Sequence, residues 1–446
     1  MGCHFYLLLF IFNFLKMMEV SPFRGIRYNQ GIVGGLAHVL CPPYDVVAPE
    51  QRKLYYQKSD YNSIRLESPA ESPEPTDDSY QTAAITFQQW LKQGVLQLDK
   101  ASSFYLHDHH FEYSGEKRVR RGLIARVKLQ PWGSGIYPHE ETFSKAKGDR
   151  LRLMRACRAN FSPLLSLYQG SEQKIALKLS EVAQGEPIIG TSVSSPLMDE
   201  GGEGHVVWAI TDPETKLQLS QVLSSQPLYI ADGHHRYETA LAYQQERAQY
   251  QSDGRKLTGD GFQYVMVELV DFSDPGLVVL PLHRLVRGIA PSVLVGLGDQ
   301  LRNFFVLESV PLKADSYQLS VDSCLGVLGL LPGSLVVLKK RQDVSLQALM
   351  PSSRSQAYRE FSVSILNHII LDNILGFTSK EDVAYTVDLK EAYQQIKEGK
   401  YQLAFLLNPP QPEVVKAVAD AQDRMPSKST YFYPKLPAGL IINPLD

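Results

Sequence analysis

The chain has 446 residues, 44% of them hydrophobic and 21% charged, an ordinary globular make-up with length enough for two or three cored domains. Its 45 basic against 48 acidic residues leave a formal net charge of −3, which excludes a global field that would gather nucleic acid or an anionic membrane, so any anion binding has to be local. Four scattered cysteines, Cys3, Cys41, Cys157 and Cys324, lack a CxxC spacing; they argue against a disulfide framework or a structural zinc site and fit a reducing, cytoplasmic compartment.

Phe5 to Leu15 is apolar, but no basic stretch precedes it and no small-residue cleavage site follows it, so it does not read as a signal peptide. It is also short for a span, which needs about 20 apolar residues. The expectation is a start at Met17 or Met18, with residues 1–17 a non-native extension and a membrane anchor as the rival. The rest divides into an N-terminal α/β region (18–170), a central region (171–290) and a C-terminal α/β region (291–446).

Pro22–Asn29 and Val39–Val47 read as extended segments, since Pro42-Pro43 forbids helix. Glu67–Ser79, acidic and proline-rich, should be an exposed loop. Tyr80–Gln93 carries Ala83, Ala84, Phe87, Trp90 and Leu91 at helical spacing and closes at Gly94. Ser103–Tyr113 and Arg120–Leu129 flank Ser114–Lys117 as a hairpin. Tyr137–Asn160 is basic and helical in its second half, ending at a buried turn, Asn160–Pro163, that would pin it to the core. Strands are expected at Val206–Ile210, Leu228–Ala231, Tyr264–Val270 and Leu277–Pro281. Helices are expected at Arg236–Gln251, with Ala240, Leu241, Gln244 and Ala248 on one face, and at Pro291–Asn303. The fold class is α/β (α+β) with mixed sheets.

The strand Leu228–Ala231 runs through Asp232-Gly233 straight into a helix, so the turn lies at a helix N-terminus. Unpartnered N–H groups and roughly half a positive charge there attract phosphate or carboxylate. Gly233 allows a tight turn and a close approach, while His234, His235 and Arg236 add side-chain donors. Asp232 can cap the helix, orient an imidazole or hold Mg²⁺.

Pro138–Thr142, with Lys145, Lys147 and Arg150 behind it, has the mix that phosphoryl transfer uses: cations for phosphate oxygens and a carboxylate for the hydroxyl proton or Mg²⁺. Glu140 is the candidate general base and the three cations candidate phosphate contacts; a solvated charged helix is the plainer alternative. Asp45, held behind Pro42-Pro43, is a candidate metal ligand or alternative base, or equally a helix cap. His235 is a further catalytic candidate, and His283-Arg284 at a strand end could meet an anion. Lys428-Ser429-Thr430 and Lys435 bracket an aromatic run that would either pack plainly or close a wall over the site.

His107-Asp108-His109-His110 has the composition of a metal site, with His107 and His109 on one strand face. Zinc would need further ligands from elsewhere, and no structural metal, haem or flavin is indicated. The common phosphate-loop, hydrolase and zinc-protease motifs are absent.

DGHHR resembles the signature of the ParB and sulfiredoxin-like superfamily, whose turn of this kind binds phosphates of nucleotides or phosphorylated substrates. The match is closer still to the bacterial and archaeal family catalogued as domain of unknown function 1015, through Cys41–Arg52, Pro138–Leu151, Asn160–Tyr168, Tyr229–Leu241, Pro281–Val286 and Met425–Leu436. The resemblance implies a ParB/sulfiredoxin-like core carrying DGHHR. Within the superfamily, the free-serine kinases imply a small-molecule phosphotransferase using ATP or ADP with Mg²⁺, acting on serine or another hydroxyl or phosphorylated substrate, or the reverse phosphohydrolase. The alternative is a non-catalytic nucleotide-binding switch or a ParB-like DNA-associated protein. Lys117, Arg118, Arg120 and Arg121 form the only compact basic cluster, and no helix-turn-helix accompanies it.

Overall fold

The computed structural model describes residues 18–69, 77–142, 144–170, 174–190, 197–198, 202–253, 259–311, 325–377 and 382–446; side chains at 77, 144–146 and 197–198 are outside this description. The apolar leader, most of the acidic loop, Cys3, Cys324 and the Lys145 side chain therefore lie outside it. Among the described residues, no helix is long and apolar enough to cross a membrane.

Two mixed α/β bodies carry most of the core. The first is built on a nine-stranded sheet in the order Ile136–Pro138, Leu228–Asp232, Leu164–Tyr168, Tyr264–Asp271, Glu116–Lys128, Phe104–Tyr113, Gly204–Ile210 and Leu197–Met198, with Val20–Ser21 added beside Glu116–Lys128. Most neighbours are antiparallel, but Leu228–Asp232 runs parallel to Ile136–Pro138, and Tyr264–Asp271 parallel to Leu164–Tyr168. The sheet takes strands from both sides of residue 170, so the sequence division there passes through one sheet. The second body is a six-stranded antiparallel sheet: Phe305–Pro311, Ser334–Lys340, Leu325–Leu328, Leu403–Leu406, His283–Val286 and Val383–Thr386.

Local pattern accounts for many of these elements. The helix Asp77–Lys92 buries Ala83, Phe87 and Trp90, the stripe its periodicity predicts. The hairpin forms from Phe104–Tyr113 and Glu116–Lys128, and Ser114 and Gly115 take the positive φ its tight turn needs. The predicted face of the helix His234–Ser252 needs correction. Its buried stripe is Arg236, Tyr237, Ala240 and Tyr243, while Ala248 is exposed because the second half of the helix runs beyond the core. Glu67 is also not in an exposed loop. It ends a short helix, Ile64–Glu67, is 3% exposed, and accepts a hydrogen bond from Ser162.

The chain returns at its C-terminus to the first body. Tyr431–Tyr433 pairs with Val278–Leu280, Asn443–Pro444 with Ala159–Asn160, and Leu445 enters the main core. Met425 donates its N–H to His139 O at 2.6 Å, so this last segment lies along residues 139–141.

Candidate active site

The parallel pairing of Ile136–Pro138 with Leu228–Asp232 brings two carboxyl strand ends together, a position where ligands collect in α/β sheets. One strand delivers His139 and Glu140 and the other delivers Asp232 and Gly233. Gly233 sits at φ 93°, ψ 26° and starts the helix without a side-chain cap. The N–H groups of the first turn are thus left for another acceptor. They border a cleft of about 590 Å³ between the two bodies, lined by Asp45, Glu140, Asp232, Gly233, His234 and His235 from the first, Tyr385, Thr386 and Glu391 from the second, and Lys428, Thr430 and Lys435 from the returning C-terminus.

Glu140 lines the cleft wall. Its Oε1 accepts the Lys428 N–H at 2.5 Å, and its side chain is 17% exposed. Burial pushes the carboxyl up to about 6, against the pull of that N–H and of Lys428 and Lys435, which places it where a base is most effective near neutrality.

Beside it His139 is fully buried, with Nδ1 2.7 Å from Ile230 O and Nε2 2.9 Å from Thr430 Oγ1. The carbonyl can only accept, so Nδ1 carries the hydrogen. Burial lowers this imidazole to about 4 and keeps it neutral. His234 Nε2 accepts the His139 backbone N–H at 3.2 Å, which assigns its hydrogen to Nδ1. Burial, and then His139, hold its pKa well below the ordinary value. His235 is half-buried on the cleft wall, and burial lowers it also.

Asp232 does not cap the helix. Its Oδ2 takes Arg236 Nη2 at 2.7 Å, and its Oδ1 takes Lys435 Nζ. Burial alone would raise this carboxyl, but Lys435 and Arg236 outweigh it and hold the group well below the usual range. Both oxygens are committed to cations, so the Mg²⁺ role expected of Asp232 is corrected.

Arg236 is 8% exposed, and its Nη1 donates to Ser162 Oγ at 3.0 Å and Pro163 O at 2.7 Å. Its guanidinium ties the helix start to the buried Asn160–Pro163 turn. Arg236 also borders the cleft, so the expected direct phosphate contact would have to compete with these bonds and with Asp232.

Other candidate contacts fall away from the cleft. Lys147 pairs with Glu238 at 2.8 Å, and Arg150, 7% exposed, donates to Glu67 O at 2.7 Å and stacks over Tyr44 at 4.0 Å. Arg150 also pairs with its sequence neighbour Asp149 at 2.6 Å, whereas Glu238 and Glu67 are partners that the primary sequence does not place beside these charges. His283 and Arg284 are 6% and 1% exposed; His283 Nδ1 accepts the Leu407 N–H, and Arg284 reaches Leu282 O and Lys428 O. Arg284 thus supports the Lys428 loop without lining the cleft. Asp45 lies in a turn at the mouth, exposed, and the following helix has Ala48 as its N-cap, so Asp45 is not its cap. The second body's contributors, Thr386 and Glu391, were missed, for a hydroxyl and a carboxylate in ordinary surroundings carry no local signal.

The basic cluster is broken up as well. Arg120 is 0% exposed, Arg121 pairs with Asp108 at 2.6 Å, and Arg118 pairs with Glu116 at 2.8 Å. No contiguous phosphate-tracking surface remains there.

Gly233 is the one position in the turn where backbone geometry dictates the residue. An added Cβ would sit 3.0 Å from Arg236 Nε and 3.1 Å from Leu164 Cγ, at a φ that other residues rarely adopt. Gly233→Ala should therefore destabilise by about 1–2 kcal/mol. In a thermal melt this reads as a drop of roughly 1–2 °C for a cooperative unit of this length; an unchanged Tm would mean that the turn relaxes freely.

No curated protein matches the sequence. Solved structures with partial likeness include a free serine kinase mutant in complex with ADP (12% identity, 69% of this chain and 87% of that chain, TM-score 0.34). A conserved hypothetical protein from Pyrococcus furiosus gives 14% identity, 70% and 93% coverage, and a TM-score of 0.33. SbnI with C-terminal truncation from Staphylococcus aureus gives 10%, 69% and 82%, and 0.33. Likeness at that level leaves the chemistry to be read from this chain's own residues. Sequence ancestry is firmer: the model of DUF1015, a protein of unknown function, matches residues 20–364, and the chain belongs to that family.

Proposed function

We propose that the protein is a small-molecule phosphotransferase, or the corresponding phosphohydrolase. The observation that carries this reading is the uncapped helix start at Gly233, opening into the same cleft as a carboxyl raised to about 6, Glu140. The first-turn N–H groups and the His234 Nδ1–H seat the phosphate, and Lys428 and Lys435 supply positive charge at the wall. In transfer, Glu140 takes the acceptor hydroxyl's proton and that oxygen bonds to the terminal phosphorus. The bond from phosphorus to its bridging oxygen breaks, and the shortened nucleotide leaves with the electron pair.

The DGHHR resemblance makes serine the first acceptor to try and ADP or ATP the first donors, with a ParB/sulfiredoxin-like core as part of the same reading. Asp45 and Glu391, which both line the cleft, would hold a Mg²⁺ that neutralises phosphate charge. A cytoplasmic location suits such substrates.

Calorimetric titration with ADP, ATP and pyrophosphate, followed by a phosphate-transfer assay with hydroxy-amino acids, tests the reading. Lys435→Met should weaken nucleotide binding about tenfold to a hundredfold, since a charge-assisted contact contributes about 1.5–3 kcal/mol. The same change also leaves Asp232 facing the anion. Failure of every nucleotide and of pyrophosphate to bind would remove the proposal. Binding without any turnover would favour a nucleotide-binding switch.

A further inference from the structure

Far along the first sheet from the helix start, the fold gathers three imidazoles in its dry interior. His107 and His109 alternate onto one face of Phe104–Tyr113, and His205 stands directly opposite His109 on Gly204–Ile210. All three are 0% exposed, and one ring nitrogen of each lies within 4.8 Å of the others. His205 is the ligand from elsewhere that the His107–His110 motif lacks in the sequence. We propose that His107, His109 and His205 form a buried site for a divalent transition ion of the zinc class.

The surroundings of the rings have the form that such sites take. His107 Nδ1 lies 2.9 Å from Glu268 Oε2, and His109 Nε2 lies 2.7 Å from Glu203 Oε2. Carboxylates on the ring nitrogens turned away from an ion fix ligand tautomer and orientation. This leaves His107 Nε2 and His109 Nδ1 as the ligand nitrogens. Those nitrogens now contact His205 Nδ1 at 3.1 Å and Arg120 Nη2 at 3.2 Å, and an ion replaces both contacts. Arg120 keeps its bond to Pro434 O at 2.9 Å. A tetrahedral ion with Zn–N of about 2.0–2.1 Å needs nitrogens about 3.3 Å apart; His107 Nε2 and His205 Nδ1 already stand 3.1 Å apart, and the His109 ring, stacked beside His107, has to turn toward them to complete the set.

Glu268 supplies an independent sign. It interrupts an apolar strand interior, is 0% exposed, and its Oε1 has no hydrogen-bond partner among the described residues. Its side chain crosses the sheet over Gly122, where a Cβ would come within 2.5 Å of the carboxylate. The sequence thus keeps a gap in one strand so that a carboxylate from the next can reach His107. Imidazole and carboxylate together suit zinc, cobalt or copper better than magnesium or calcium. Glu203 borders a second cavity of about 210 Å³ that shares Val46, Gln51, Tyr431 and Lys435 with the main cleft, which gives an ion a way in.

The test uses the full, untagged chain, stripped with a chelator and then loaded with Zn²⁺ or Co²⁺. Expected are one equivalent of zinc per chain by elemental analysis, the visible absorption of cobalt in a low-symmetry nitrogen site, and a higher Tm with metal. His110→Gln, on the opposite strand face, should keep all three. His205→Gln, folded by circular dichroism, should lose the cobalt spectrum and at least tenfold in zinc affinity. Should that variant fail to fold, the wild-type chain decides alone: absence of a cobalt spectrum and of retained zinc in the folded protein overturns the site. Equal retention by folded wild type and folded His205→Gln overturns it too. Nucleotide titration of the same samples reads the cleft separately.

Discussion

Glu140→Gln should lower turnover about 10²–10⁴-fold while leaving nucleotide binding near normal, and should at the same time stabilise the protein at alkaline pH. Both effects come from one property. In the folded chain, burial raises the carboxyl from its ordinary 4.5 to about 6. A folded-state value above the unfolded one favours folding below about pH 4.5, and that favour is lost as the pH rises through about 6. Ionised Glu140 therefore costs about 2 kcal/mol at pH 8, a cost that a neutral amide does not carry. Gln can still accept the Lys428 N–H that Glu140 accepts at 2.5 Å, so the gap at Lys428 stays closed. Thermal melts of the two proteins should differ at pH 8 and converge near pH 4. The wild-type rate should fall on the acid side with a midpoint near 6, and the residual rate of the variant should lack that limb. Equal turnover would pass the role of base to Asp45 at the cleft mouth. Equal stability at both pH values would show that Glu140 is not held in a desolvated position.

How much of this was legible in the sequence depends on the distance between cause and effect. The stripe Ala83, Phe87, Trp90 and the turn at Ser114-Gly115 are local, so period and turn chemistry suffice to place the Asp77–Lys92 helix and the long hairpin. The DGHHR turn is equally local, since strand, positive-φ glycine and helix follow one another without a break. What joins Glu140 to it is a three-residue strand, Ile136–Pro138, too short to carry a pattern, in parallel register with Leu228–Asp232. Lys435 meets Asp232 from 203 residues away. Charges could be counted in the sequence but not aimed: Lys147, Arg150 and Arg236 read as phosphate ligands until Glu238, Glu67 and Ser162 claim them. His205 and Glu268 were the reverse case, lone polar residues in apolar strands whose meaning depends on the strands beside them.

Arg236→Met should unfold or strongly destabilise the protein, by about 3–5 kcal/mol, before it says anything about ligands. Removing one partner of a buried ion pair leaves the other uncompensated. Here Asp232 would keep only Lys435, while Ser162 Oγ and Pro163 O would lose their donor in a dry turn. Arg236→Lys should recover only part of the loss, because a single ammonium cannot span Ser162, Pro163 and Asp232 as the planar fork does. The pH dependence separates this from a plain packing defect. Asp232 is depressed in the folded state by Lys435 and Arg236 against the opposing effect of burial. Its contribution is thus present above its unfolded value, near 3.9, and disappears as the pH falls through the folded one. The stability gap between wild type and Arg236→Met should accordingly be widest at neutral pH and narrow in strong acid. A variant with unchanged Tm and no nucleotide affinity would restore Arg236 to the phosphate. Lost stability, with affinity preserved in whatever fraction remains folded, would make it the residue that positions the turn, leaving the phosphate to backbone N–H groups, His234 and the two lysines.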